Sequence, residues 1–266
     1  MIRALMLALL LPVAASAETM RMAVTTSFEN SGLAEILLPA IREDTGIEVQ
    51  LLVVGTGQAL RLGAAGDVDA VLVHSRAAEE DFVAEGHAPY RREIMYNDFV
   101  LVGPEDDPAG AAGAADAAGA MTAVAAAEAP FVSRGDDSGT HLAELALWSA
   151  AGADPEGFGA WYRPIGDGMG AALNAAAGMG AYTLSDRASW LNFGNRDGMA
   201  VVFEGDPAMF NQYAYLPVDP GKGAHVAADA AGALEDWLTG PRAQALIDGY
   251  RLSGEQLFTF NAAPAP

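Results

Sequence analysis

A strand-like run from Met20 to Thr25, apolar apart from Arg21 and Thr25, predicts a strand near the start of the chain. Apolar residues then recur at Leu33, Ile36, Leu37 and Ala40, the spacing of one helical face. That pattern stops at Asp44-Thr45-Gly46, where glycine suits the residue after a last helical turn. A second apolar run, Ile47 to Val54, leads into GTGQAL and the start of another helix. GDVDAVLVH predicts a turn and a third strand, with a helix over Ala77 to Ala84 behind it. MYNDFVLVGP predicts a strand that ends at Pro104. Short apolar runs alternating with helical patterns indicate a helix-flanked parallel sheet, so the predicted fold class is α/β.

From Glu105 to Ala120 the pattern lapses. EDDPAGAAGAADAAGA holds no large apolar residue and reads as a thinly packed helix or a linker into a second lobe. A strand is expected around Ala123 to Phe131, then the polar run SRGDDSGTH and a helix over Leu142 to Ala150. GDGMGAALNAAA predicts a helix start, GAYTLSD a short segment, MAVVFEG a strand, and YAYLPVD a strand returning to the first half. Leu234, Trp237, Leu238, Leu246 and Ile247 predict C-terminal helices. No repeat of solenoid length occurs. What recurs is a unit of strand, Ser/Thr/Gly-rich turn and helix, with turns beginning at Thr25, Gly55, Ser133 and Gly166.

Composition adds a compartment. Arg3, the apolar stretch Ala4 to Ala14 and the small residues Ala15-Ser16-Ala17 follow the order of a secretory signal peptide, so residues 1–17 are expected to be removed and the chain exported. The apolar stretch is shorter than the roughly 20 residues of a membrane-spanning helix. No Cys follows it, which argues against a lipoprotein anchor, and the chain has no Cys at all, hence no disulfide and no thiol chemistry. The formal net charge of −21 disfavours nucleic acid and anionic lipid as partners. A small anion in an enclosed site is less affected, because screening removes the distant field within about 8–10 Å.

The turns carry the chemistry. A helix start leaves backbone N–H groups unpaired and partly positive, glycine lets a ligand approach the backbone, and Ser and Thr hydroxyls add rotatable donors. Several such ends together suit a compact anion with many acceptor oxygens. The donors proposed for the first turn are Thr25, Thr26 and Ser27; for the second, Thr56; for the fourth, Gly168 and Met169. In the third, Ser133, Arg134, Ser138, Gly139 and Thr140 cluster, and Arg134 adds a planar five-donor cation suited to bidentate oxyanion contact. Singly, these residues are also ordinary helix caps, and Arg134 has Asp136 and Asp137 as competing partners.

The runs TTSFENSG, LLPAIREDTGIEV, VGTGQALRLG, GDVDAVLVHS, MYNDFVLVGP, SRGDDSGTH, GMGAALN and GAYTLSDR, in that order from Thr25 to Arg187, resemble the tungstate-binding proteins of the TupA type, periplasmic components of ABC transporters. The resemblance implies a two-lobed type II periplasmic-binding-protein fold, with the ligand cleft between lobes joined by two crossover strands. Lobe 1 is then expected over 18–101 and 213–266, and lobe 2 over 102–212. It implies the oxyanion contacts already named and adds Tyr182 and Thr183. It also implies tungstate or molybdate as ligand, a membrane permease as partner, a monomer in the periplasm, no enzymatic activity and no cofactor. Val24 stands where the family's threonine-rich opening has its first threonine, which removes a hydroxyl there and leaves the backbone donors unchanged.

The aspartates of SRGDDSGTH create a chemical fork. A carboxylate beside an anion repels it unless turned away, paired, or accepting a proton from the ligand. Phosphate at neutral pH carries such a proton, whereas tungstate, molybdate and sulfate do not, so phosphate binding is the main rival. A secreted serine hydrolase is the distant one: Ser138 and His141, or His74 and Ser75, stand close in sequence, but no G-x-S-x-G elbow occurs. No H-E-x-x-H or cysteine pair marks a metal centre, and GDVDA and PEDDP read as acidic turns.

Overall fold

The computed structural model describes residues 18–223 and 225–263, so the expected signal peptide lies outside the described residues. The first lobe opens with β1 (Glu18–Thr25), α1 (Thr26–Asn30), α2 (Leu33–Thr45), β2 (Ile47–Val54), α3 (Thr56–Ala65), β3 (Ala70–Val73) and α4 (Arg76–Ala84). β1 lies parallel between β2 and β3, with Thr25 opposite Val54 and Val24 opposite Leu72. Parallel neighbours need crossover helices, which bury the sheet on both faces. Met22 and Val24 accordingly face Leu33, Leu37 and Ile41 of α2, while Ala23, Val71 and Val73 face Ala59 of α3 and Phe82 of α4.

Gly46, at φ 74°, ends α2 in the left-handed conformation that its sequence pattern predicts. Ile36 departs from expectation, being 43% exposed. The buried stripe is Leu33, Ala34, Leu37, Ala40 and Ile41, and Ile36 falls about 100° from its centre at 3.6 residues per turn.

β4 (Arg92–Pro104) carries the chain across. The second lobe comprises α5 (Ala117–Ala126), β5 (Phe131–Ser133), α6 (Gly139–Ala150), β6 (Tyr162–Pro164), α7 (Met169–Met179), β7 (Thr183–Asp186), α8 (Arg187–Asn192) and β8 (Met199–Phe203). β9 (Phe210–Pro217) returns the chain, and α9 (Ala228–Leu238), α10 (Pro241–Gly249), the β10 (Arg251–Leu252) and β11 (Glu255–Gln256) pair, and β12 (Thr259–Phe260) complete the first lobe. β4 changes partners along its length: Arg92–Asp98 lies against β9, Phe99–Val102 against β7, and its last residues against β8. The boundaries expected at 101/102 and 212/213 lie a few residues beyond this exchange.

The stretch Ala123 to Phe131, expected as a strand, is helix as far as Ala126 and then turn and loop as far as Pro130. Asp116 caps α5, its Oδ1 accepting from Gly119 N at 2.7 Å, and the alanine-rich run that follows is a strong helix former. β5 begins only at Phe131. α5 packs Ala117, Ala120, Met121 and Val124 against Phe131, Trp148, Tyr182 and Leu184, so this stretch is part of the second core rather than a linker. At the crossover, Arg187 grips Asp98 through two bonds, Nε to Oδ1 at 2.7 Å and Nη2 to Oδ2 at 2.6 Å, and also reaches Glu204.

Candidate functional site

The carboxyl ends of β2, β1 and β3 finish level, which brings Thr56, the Thr25–Ser27 segment and His74 to one edge of the first lobe. This is where ligands approach open α/β sheets. Thr25 caps α1, its Oγ1 accepting from Phe28 N at 3.3 Å, and lies 3.0 Å from Ser27 Oγ. Ser27 Oγ in turn meets His74 Nε2 at 3.0 Å and Tyr213 Oη at 3.3 Å. Burial, reinforced by the charge of Arg134, pulls the His74 pKa down to about 4, so the imidazole is neutral at physiological pH. Tyr213, wholly buried, keeps its phenolic proton because burial and the charge of Asp186 both push its pKa upward. Thr56 begins α3 with a buried hydroxyl that has no partner. Thr26, by contrast, is exposed.

In the second lobe β5 runs parallel to β6, with Ser133 opposite Pro164. Gly166 N donates to Arg134 O at 2.8 Å, tying the two following loops together. Gly135, at φ 59°, lets the loop pass Pro164, whose Cβ would lie 2.7 Å from any added Cβ. Ser138 caps α6, its Oγ accepting from His141 N at 3.2 Å. Arg134 pairs with Asp136, and its Nε reaches Asp167 O at 3.4 Å. Asp136 also accepts from Ser138 N at 3.2 Å. Burial raises the pKa of Asp136, but its bonds to Ser138 and Arg134 outweigh this and hold it below the usual carboxylate range. The Asp137 side chain is 96% exposed. Both aspartates of the run are therefore either paired or turned away. Ser133 Oγ is buried beside Glu144 and Tyr162 without a partner in bonding geometry. Gly168 caps α7, and its N–H is taken by Asp167 Oδ1 at 2.6 Å, while the Met169 side chain enters the core.

Tyr182 and Thr183, two of the expected contacts, are engaged elsewhere in this structure. Tyr182 is completely buried in the second core, its hydroxyl donating to Asp107 Oδ1 at 2.7 Å and accepting from Ala109 N at 2.9 Å. Its backbone is equally committed, to Pro130 O and Val132 N. Thr183, on the opposite face of β7, is buried and reaches only Leu184 O, at 3.5 Å.

The two lobes touch. A Cβ added to Gly139, in the first turn of α6, would stand 2.4 Å from His74 Cε1 and 2.7 Å from Nδ1. The field of Arg134 reaches both His74 and Asp186, and that of Asp186 reaches Tyr213. Asn192 Nδ2 also donates across the seam to Asn30 O, at 3.1 Å. Around this seam His74 Nδ1, Asp186 Oδ2 and Asn211 Oδ1 are buried without partners. Each such atom costs about 1–3 kcal/mol when left unpaired, which is tolerated where a ligand completes the set.

His74, Asn211, Tyr213 and Asp186 were absent from the residues expected at the site. His74 had a local signal, standing after β3 as Thr26 stands after β1. The other three had none. Asn211 and Tyr213 come from the return strand, and Asp186 reads locally only as the cap of α8, with Oδ1 accepting from Ser189 N at 2.8 Å. The Ser138–His141 pair imagined for a hydrolase does not form, since His141 Nδ1 accepts instead from Asp137 N at 3.1 Å. Ser27 and His74 do stand at the distance of nucleophile and base, but no carboxylate orients His74 Nδ1.

Residues 12–242 match the family described as the PBP superfamily domain. A tungstate-binding protein, TupA, of Peptoclostridium acidaminophilum is 46% identical over 246 residues, 91% of this chain and 85% of the relative. Among solved structures, the tungstate-binding protein TupA of Desulfovibrio alaskensis superposes with a TM-score of 0.85 at 43% identity, covering 93% of this chain and all of that one. The tungstate ABC transporter structure from Geobacter sulfurreducens gives a TM-score of 0.80 at 45% identity, covering 89% of this chain and all of that one.

Proposed function

The chain belongs to the tungstate-binding TupA family of the periplasmic-binding-protein superfamily, with its two-lobed type II fold, and we propose that it captures tungstate outside the cytoplasm for delivery to a membrane permease. The observation that carries this reading is the seam itself. Helix starts and hydroxyls from one lobe face Arg134 and the start of α6 from the other, around buried polar atoms that lack partners. Neutral N–H and O–H donors in a closed site suit a proton-free tetrahedral dianion. Hydrogen bonds to a charged partner contribute roughly 1.5–3 kcal/mol each before ordering costs, so a partial set is compatible with nanomolar affinity, about −12 kcal/mol.

The anion meets the ends of β1, β2 and β3 in an open cleft, and α6 then closes onto it beside His74. Closure creates the surface that a permease reads, and the chain acts as a monomer exported by its first seventeen residues. Asp136 is paired and Asp137 is turned to solvent, so neither carboxylate of this run stands free to accept a phosphate proton. Among the described residues no helix is long and apolar enough to cross a membrane.

Competition calorimetry with tungstate, molybdate, sulfate and phosphate tests the proposal. Tungstate is expected to bind most tightly, and phosphate more weakly by orders of magnitude. Equal affinity for phosphate would overturn the reading.

A further inference from the structure

One carboxylate at the seam is neither paired nor exposed. Asp186 ends β7 opposite Phe99, where β4 passes from one lobe to the other. It is 1% exposed, and only Oδ1 is engaged, by Ser189 N. Oδ2 is buried with no partner, in a region shared with Arg134, Tyr213, His74 Nδ1 and Asn211 Oδ1.

The charge balance of that region is unfavourable for a dianion. Arg134 is the cation whose field reaches both His74 and Asp186, and it is already neutralised by Asp136. His74 is neutral, and Tyr213 is a phenol. Arg187, next in the chain, is turned onto Asp98 and Glu204. α7, packed on β7, carries no ionisable side chain, and Glu144 of α6 is bonded to Trp148 and Tyr162. A dianion placed beside Arg134 and Asp186 therefore meets, among the described residues, no spare positive charge and one unpaired carboxylate. Coulomb repulsion at a few ångströms in a low-dielectric site is large, and the cheapest relief is a proton on that carboxylate.

We infer that Asp186 takes up a proton when the anion is captured, and that its Oδ2–H then donates a hydrogen bond to it. The inference rests on the tungstate reading and adds how the site accommodates the charge of its anion. No covalent bond changes: one proton moves from solvent to Oδ2, and the ligand stays fully deprotonated. Burial acts in the same direction, pushing the Asp186 pKa up even in the absence of anion.

The test is calorimetric titration of the full chain with sodium tungstate, at several pH values between 6 and 9, in non-phosphate buffers of differing ionisation enthalpy. About one proton should be taken up per tungstate in part of that range, and affinity should fall about tenfold per pH unit there. Asp186→Asn, which donates permanently from its amide, should bind tungstate with an affinity that no longer depends on pH and with no proton uptake. Tungstate binding by the parent chain without proton uptake anywhere in the range overturns the inference, whether or not the variant folds. So does uptake that persists in Asp186→Asn and disappears in His74→Gln. If tungstate fails to bind but molybdate or sulfate binds with proton uptake, the inference stands and the tungstate reading falls. If only phosphate binds, without uptake, both fall.

Discussion

Arg134 has two claims on it, an ion pair with Asp136 and a position whose field reaches His74 and Asp186 across the seam. Removing it would leave Asp136 unpaired next to an incoming dianion. Arg134→Ala is therefore expected to weaken tungstate binding by about ten- to a hundredfold, as for loss of a charge-assisted bond. Ser133→Ala should cost less than about threefold, because its hydroxyl lies beside Glu144 and Tyr162. Calorimetry on the two variants checks this, and equal modest losses would assign Arg134 to structure alone. The run from Ser133 to Thr140 was legible because it concentrates donors and a cation in eight consecutive positions. Nothing in the residue types of Tyr182 and Thr183 reveals that both side chains are buried and bonded within the second lobe.

Among the elements, α6 combines two duties. Its first turn meets the other lobe, while its second presents Glu144 to Trp148 Nε1 at 3.1 Å and Tyr162 Oη at 2.8 Å inside the lobe core. Burial raises the Glu144 pKa from the model-compound value of 4.5 to about 7, despite the bond from Tyr162 that favours the ionised form. A raised carboxyl pKa means that the folded state holds the proton more tightly than the unfolded chain. The resulting stabilisation is complete below pH 4.5 and is lost as pH rises through about 7. It amounts to about 3 kcal/mol at most. Urea unfolding between pH 4 and 8 should show that loss, and Glu144→Gln should flatten it while raising stability at pH 8. An unchanged slope in the variant would show that another group titrates. The sequence pattern located α2, α3 and β4 well, since period and terminating glycine or proline agreed there. It misread α5, because small alanines pack equally well in strand or helix, and helix propensity and the Asp116 cap decided the matter.

At the scale of the whole molecule, function depends on how near the lobes come. Gly139 has an ordinary negative φ, so its conformation would admit alanine, but a Cβ would collide with the ring of His74. Gly139→Ala should leave each lobe folded and hold the seam apart. We expect at least tenfold weaker tungstate binding, and a radius of gyration from X-ray scattering that shrinks less on saturation than in the parent chain. Identical compaction would show that the lobes close without this contact. Such a geometry has no trace in the local sequence around residue 139, where glycine reads simply as the start of a helix. The sequence by itself determined the alternation of strands and helices, the acidic and cysteine-free character, and the turns whose donors suit an anion. These are local properties, set by period, capping and residue chemistry. Tertiary structure alone decided that His74, Asn211, Tyr213 and Asp186 stand at the seam, and that Asp136 and Asp137 do not face it as free carboxylates. The reason is distance along the chain: the β1–β3 and β3–β9 pairings bring residues 47 and 186 positions apart into one hydrogen-bonded group, and no local pattern records which side chains meet there.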